Sequence, residues 1–166
     1  IGIVVAIDTV TEEDFERLQL SLIRPLEQKI SCSNLGKKKH KIIVLDRKDA
    51  RKIKNRENAL KHLENNFSHI ILYGSISTGK HEAENHHVFH LDGVVRHAGV
   101  SPQLSLDLSA RFRAILPQIS LFPEDSDVAG FQYASEHLNY VISYVIAHAA
   151  FISGNSGLAR SLLEEL

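Results

Sequence analysis

The chain has 166 residues, enough to bury a core in one domain with room for the start of a second. Its formal net charge of -1 gives no global attraction to nucleic acid or to an anionic bilayer, so neither is expected as a partner. A single cysteine, Cys32, allows no intrachain disulfide framework, which suits a reducing cytoplasm.

Residues 1–7 form a continuous apolar run rich in β-branched side chains, the pattern of a central strand buried on both faces, and the run ends at Asp8. Thr11, followed by Glu12, Glu13 and Asp14, reads as a capped helix start with acids in the first turn. Phe15, Leu18, Leu22 and Leu26 then recur at helical spacing, and Pro25 is expected to bend or shorten that helix. Cys32 sits among Ser31, Ser33 and Asn34 as a loop residue, with no histidine placed to activate it. The run Lys37-Lys38-Lys39-His40-Lys41 reads as a solvated loop before a strand, with a phosphate or partner patch as the alternative.

Residues 41–45 form a second buried strand ending at Asp46-Arg47, after which Asp49 is expected to cap a helix with Ile53, Leu60, Leu63 and Phe67 inward. Residues 69–73 form a third strand. The order β-α-β-α-β with crossover-length connections predicts parallel strands in an open sheet. The period then changes. Residues 75–77 stay extended, Thr78-Gly79-Lys80 supplies a turn, and residues 85–97 alternate, with Phe89, Leu91 and Val95 on one face and Val88, His90, Asp92 and Arg96 on the other. This predicts an antiparallel hairpin, with Asp92-Gly93 a bulge or short turn. From Pro102 the pattern is helical, with Leu106, Phe112, Ile115 and Leu116 leading to a break at Pro117, and another break falls at Phe122-Pro123. Residues 128–151 form a long helix, apolar nearly all round from Val141. Gly154 ends it, and a last helix places Leu162, Leu163 and Leu166 inward. The apolar stretch 141–152 is interrupted by Ser143 and His148 and is too short to span a bilayer, and no signal peptide is read.

The fold expected is α/β: a three-layer arrangement with a mixed sheet of about five strands, then C-terminal helices. Residues 1–100 form the sheet domain. Residues 101–166 form a helical segment packed on it, or the start of a helical repeat.

Gly74-Ser75-Ile76-Ser77-Thr78-Gly79-Lys80 nearly spells a phosphate-binding loop after a strand. Two features oppose that reading. Residues 82–95 alternate as a strand where a helix should offer its N-terminal amides, and His81 stands where a hydroxyl should bind Mg²⁺. A hairpin is expected instead. Asp8 and Asp46 end parallel strands, where open sheets bind ligands and where two carboxylates can hold a divalent ion; strand-end aspartates also cap helices. His81, His86, His87, His90 and His97 cluster in sequence, but His86 and His90 lie about 13 Å apart along a strand, too far for one ion. Tyr133, Tyr140 and Tyr144 sit at helical spacing and read as packing. No catalytic triad motif occurs.

The stretch Ile42-Ile43-Val44-Leu45-Asp46-Arg47, a charged helix, and Ile70-Ile71-Leu72-Tyr73-Gly74-Ser75-Ile76 resemble the N-terminal α/β domain of the TolB type and the related CsgG family. The end of the chain, through Ala147, Gly154 and Ala159, resembles a tetratricopeptide unit. Together the resemblances imply a non-catalytic assembly or interaction domain of a bacterial multidomain protein, with no catalytic residues to transfer. The chain departs from the secreted members in showing no lipoprotein signal, so their membrane roles are not carried over.

The function expected is a non-enzymatic protein-interaction or sensor domain in a larger cytoplasmic protein, since the chain starts at Ile1 and stops within a helical pattern. No cofactor, resident metal or catalytic residue is expected, and the protein partner is not legible. The first alternative is a small-molecule or nucleotide-binding domain with a pocket at the strand C-termini near Asp8, Asp46, Arg47 and Gly74. There Arg47 and Lys80 would contact a small anionic ligand. The second is a metal-dependent phosphoesterase with Asp8 and Asp46 as ligands.

Overall fold

A computed structural model describes residues 2–25, 27–28, 41–81, 84–96, 101–115, 119–121, 127–152, 154 and 156–164. Cys32, the basic run 37–40, His97 and the breaks at Pro117 and Phe122-Pro123 lie outside the described residues.

Strand β1 (Gly2–Asp8) is buried on both faces because its run has no polar alternation: Ile3, Val5 and Ile7 enter one core, Val4 and Ala6 the other. Helix α1 (Glu12–Leu18) starts as expected. The Thr11 Oγ accepts the Asp14 N–H at 3.0 Å, and the Asp14 carboxylate accepts the Thr11 N–H at 3.2 Å, a reciprocal capping box. Thr11→Ala should cost about 1 kcal/mol of stability; an unchanged urea midpoint would contradict the cap. Pro25 does not stop the helix. Residues Gln19–Ile23 widen into a π-helical turn in which the Arg24 N–H reaches the Gln19 carbonyl, a geometry that makes room for a ring that would clash with the carbonyl four residues back.

Strand β2 (Lys41–Val44) pairs parallel with β1, Gly2 opposite Lys41. It is half-buried rather than buried, because it stands at the edge of the described sheet. Asp46 caps the short helix α2 (Arg47–Ala50), accepting the Asp49 N–H at 2.8 Å, and Asn55 caps α3 (Arg56–Asn65). Asp49 therefore lies inside a helix and caps neither. Ile53 and Leu63 are buried as expected, but Phe67 is 91% exposed. It occupies the left-handed position after α3 (φ 50°), where the Ser68 N–H reaches back to the Leu63 carbonyl, so the helix ends before Phe67 can turn inward.

Strand β3 (Ile70–His81) runs parallel to β1 and then continues, pairing antiparallel with β4 (Glu84–Val95) in one unbroken register from Ile70 opposite Val95 to His81 opposite Glu84. The expected turn at Thr78-Gly79-Lys80 is thus strand. Asp92-Gly93 is neither bulge nor turn, since Asp92 pairs with Tyr73 and Gly93 with Leu72. The first arm of the hairpin is β3 itself, so the predicted elements amount to four strands. A three-residue strand, β5 (Ile119–Leu121), pairs with β4 in the segment read as wholly helical. The order is β2-β1-β3-β4-β5.

Helix α4 (Pro102–Ile115) is tied to β4 through buried Ser109, whose hydroxyl accepts the Val95 N–H at 3.1 Å and donates to the Ser105 carbonyl at 2.7 Å. Leu108 is its buried leucine, while Leu106 is 40% exposed. The long α5 (Asp127–Ile152) buries Val141, Ile142, Val145 and Ile146 but exposes Tyr140 and Phe151, so it is not apolar-packed all round. Gly154 (φ 74°) ends it, and α6 (Ser156–Glu164) buries Leu158, Ala159 and Leu162, leaving Leu163 46% exposed. Leu166 lies outside the described residues.

One core cluster joins Ile3, Val5, Leu72 and Leu18 with the buried faces of α5 and α6. The other, across the sheet, joins Val4, Ala6, Ile71 and Tyr73 with Ala50, Ile53, Ala59 and Leu63. The fold is therefore α/β with a mixed sheet and helices against both faces. No helix among the described residues is long and apolar enough to cross a membrane.

Candidate functional site

The strand order places β1 between β2 and β3, and the two connections lie on opposite faces: α1 packs into one core cluster, α2 and α3 into the other. β1 ends at Asp8 while its neighbour β3 runs on past Ser75 to His81, and a crevice opens beside β3 at the carboxyl end of β1. A cleft of about 920 Å³ occupies this position, within the range of small-molecule sites.

Asp8, the last residue of β1, stands opposite Ser75 of β3, and both line the cleft beside Gly74. Gly74 has a φ of 152°, and a β-carbon there would sit 1.9 Å from the His90 carbonyl oxygen. Only glycine lets β3 and β4 approach at this point while keeping the crevice open. The floor is apolar, formed by Ala50, Ile53 and the Tyr73 ring. Its rim is charged: Arg51 and Lys54 follow α2, Arg56 opens α3, and Arg113 reaches in from α4.

Two of these cations are already paired. Arg51 Nε donates to both Asp8 oxygens at 3.0 and 3.2 Å, and Arg113 Nε donates to Asp92 at 3.0 Å. Asp92 also accepts the Tyr73 hydroxyl at 2.8 Å and the Gly93 N–H at 2.7 Å. Lys54 and Arg56 have no such partner among the described residues, and the Arg56 Nε is buried without a hydrogen bond. The cleft thus carries four cations against two carboxylates, an excess of two positive charges with His90 neutral.

Burial, and then the hydrogen bond donated to Asp92, raises the Tyr73 phenol above its ordinary value of 10.0. In the unfolded chain the phenol ionises at that ordinary value. Its contribution to stability is therefore complete below about pH 10 and is lost as pH rises beyond it. A tyrosinate absorbance titration should show one delayed component that Tyr73→Phe removes; identical curves for both proteins would contradict the assignment. The same hydrogen bond keeps Tyr73 a donor, not a base, at neutral pH. Pairing with Asp92 likewise raises the Arg113 guanidinium.

Of the residues singled out from the sequence, the structure brings Asp8 and Gly74 together and leaves the others elsewhere. Asp46 and Arg47 line a neighbouring depression of about 440 Å³ with Glu12, Phe15, Lys48 and Arg51, and Arg51 lines the cleft as well. Asp46 spends its carboxylate on the α2 cap. Arg47 straps the loop after β1, donating to the Thr9 carbonyl at 3.1 Å and to the Val10 carbonyl. Lys80 is paired opposite Asn85, six residues beyond Gly74 and so about 20 Å up the strand; its side chain lies outside the described residues, as do those of His81, His86 and His87. His90 is exposed and lines the cleft. Among the described residues no group of three or more metal-ligating side chains converges.

Sequence reasoning missed Arg51, Lys54, Arg56, Tyr73, Asp92 and Arg113. Arg51, Lys54 and Arg56 fall within the span expected to be one helix after Asp49. The signal that could have found them is Asn55, a cap residue that breaks that helix in two and leaves its basic residues around the break. Arg113 offers no local signal, because it reaches Asp92 across 21 residues. No protein-family model matches this chain, and no curated protein or solved structure matches it either.

Proposed function

We propose that the chain is a ligand-binding sensor domain that holds a small anion in the cleft at the carboxyl end of β1, beside Gly74 of β3. The observation that carries this reading is the excess of positive charge in a cleft with an apolar floor, at that strand end. Helices against both faces of the sheet support a three-layer body as the rigid support of that cleft. Binding, rather than metal-dependent hydrolysis, is the better reading because Asp8 lines the cleft and Asp46 does not, and each is already engaged, one by Arg51 and one by an α2 amide. A nucleotide held by a phosphate loop at Gly74 is a poorer reading, because β3 runs on as strand through Lys80.

A thermal denaturation series with inorganic phosphate, nucleoside monophosphates and small carboxylates tests this. A bound anion at a hundredfold excess over its Kd should raise Tm by about 5–10 °C. No rise with any of these anions at millimolar concentration would contradict the proposal.

A further inference from the structure

We infer that the anion the cleft takes is the dianion of a small phosphomonoester, its phosphate held between Lys54 and Arg56 and its organic part laid on Tyr73 and Ile53. The inference rests on the anion-binding reading and narrows it to a chemical class.

The argument begins with which cations are free. Arg51 and Arg113 belong to ion pairs with Asp8 and Asp92, so an anion that sought them would first have to displace a carboxylate. The other acids near α3 are committed as well: Asp49 to Lys52, Glu57 to Lys61, Glu64 to Arg96. Lys54 and Arg56 remain, two residues apart around the Asn55 cap, and both line the cleft. The Arg56 Nε is a donor taken out of water with no acceptor, a state that costs free energy until something accepts from it.

The charge to be matched is therefore two, on side chains two residues apart. A single carboxylate supplies one negative charge and two acceptor oxygens. A phosphomonoester carries about -1.5 to -2 at neutral pH and three acceptor oxygens, which matches a guanidinium fork beside an ammonium. The opposite wall fixes the second half of the ligand. Tyr73 is 5% exposed and held by its bond to Asp92, so its ring is a rigid apolar surface. Ile53 extends that surface on the same face of the sheet, and free phosphate would leave it uncovered.

Calorimetric titrations with phenyl phosphate, benzoate and inorganic phosphate at pH 7.5 separate these terms. Phenyl phosphate should bind about tenfold or more tightly than either of the others. Lys54→Gln and Arg56→Gln should each weaken phenyl phosphate by about tenfold and weaken benzoate less. Lys54 is exposed, so its variant is expected to fold even if the Arg56 variant does not, and circular dichroism checks both. Equal binding of benzoate and phenyl phosphate would keep the anion site and overturn the phosphomonoester assignment. Equal binding of inorganic phosphate would overturn the role of the apolar wall and with it the ester. Unchanged phenyl phosphate affinity in the Lys54 variant would overturn the placement of the phosphate, and no binding of any of the three would overturn the anion-binding reading itself.

Discussion

Gly74→Ala should destabilise the protein by about 3 kcal/mol, from backbone strain and overpacking together. The site combines a φ of 152° with a carbonyl oxygen, that of His90, 1.9 Å from where the β-carbon would lie. The obstacle is backbone of the paired strand, so no side chain can swing away to relieve it. The only relaxation is separation of β3 from β4, which would also widen the cleft that both strands line. Urea denaturation should therefore show a lowered midpoint together with weakened anion binding. A variant with an unchanged midpoint would mean that the two strands do not approach as described.

Leu72→Ala is expected to cost about 2–5 kcal/mol, the range for a leucine deleted from a packed core. Leu72 is fully buried and lies between Val5 of β1 and Gly93 of β4. Its side chain belongs to the core cluster shared with α5 and α6. Against a typical total stability of about 5–15 kcal/mol such a loss is large. Because alternate strand residues face opposite ways, Leu72 points away from the cleft that its neighbour Tyr73 lines. The variant should thus lose stability while the folded fraction keeps its affinity for the anion. A loss below about 1 kcal/mol in urea titration would show that the C-terminal helices are not packed on this face.

The legible parts of this fold are those where one physical signal dominates. β1 reads correctly because burial on both faces removes every polar residue from its run. The cap at Thr11 reads correctly because its partner Asp14 is three residues away and needs no tertiary context. The alternation in β4 survives because one face meets the core through Leu91 and Val95 while the other carries His90 and Asp92. Errors arise where distant partners override local chemistry. Thr78-Gly79-Lys80 and Asp92-Gly93 are good turn sequences, yet each lies inside a long antiparallel ladder, and Asp92 is held there by Tyr73 and Arg113. β2 looks as buried as β1 by composition, and only its place at the edge of the described sheet leaves it half-exposed.

The same distinction explains the site. Asp8 and Gly74 line the cleft, in keeping with the rule that strand ends mark crevices in open sheets. Asp46 satisfies the same rule, but its strand lies on the far side of β1, and the loop it opens turns into the α2 cap. The cations that give the cleft its charge come from the break between α2 and α3 and from α4, so they meet only once the sheet has formed.

The most direct test of the account is an amide chemical-shift map of the isotopically labelled protein during addition of phenyl phosphate and of benzoate. Perturbations confined to Arg51, Lys54, Asn55, Arg56, Gly74 and Ser75, saturating with added anion, are the predicted result. Perturbations centred instead on Arg47 and Lys48, or on the β3–β4 arms near Lys80, or no saturable change at all, would contradict it.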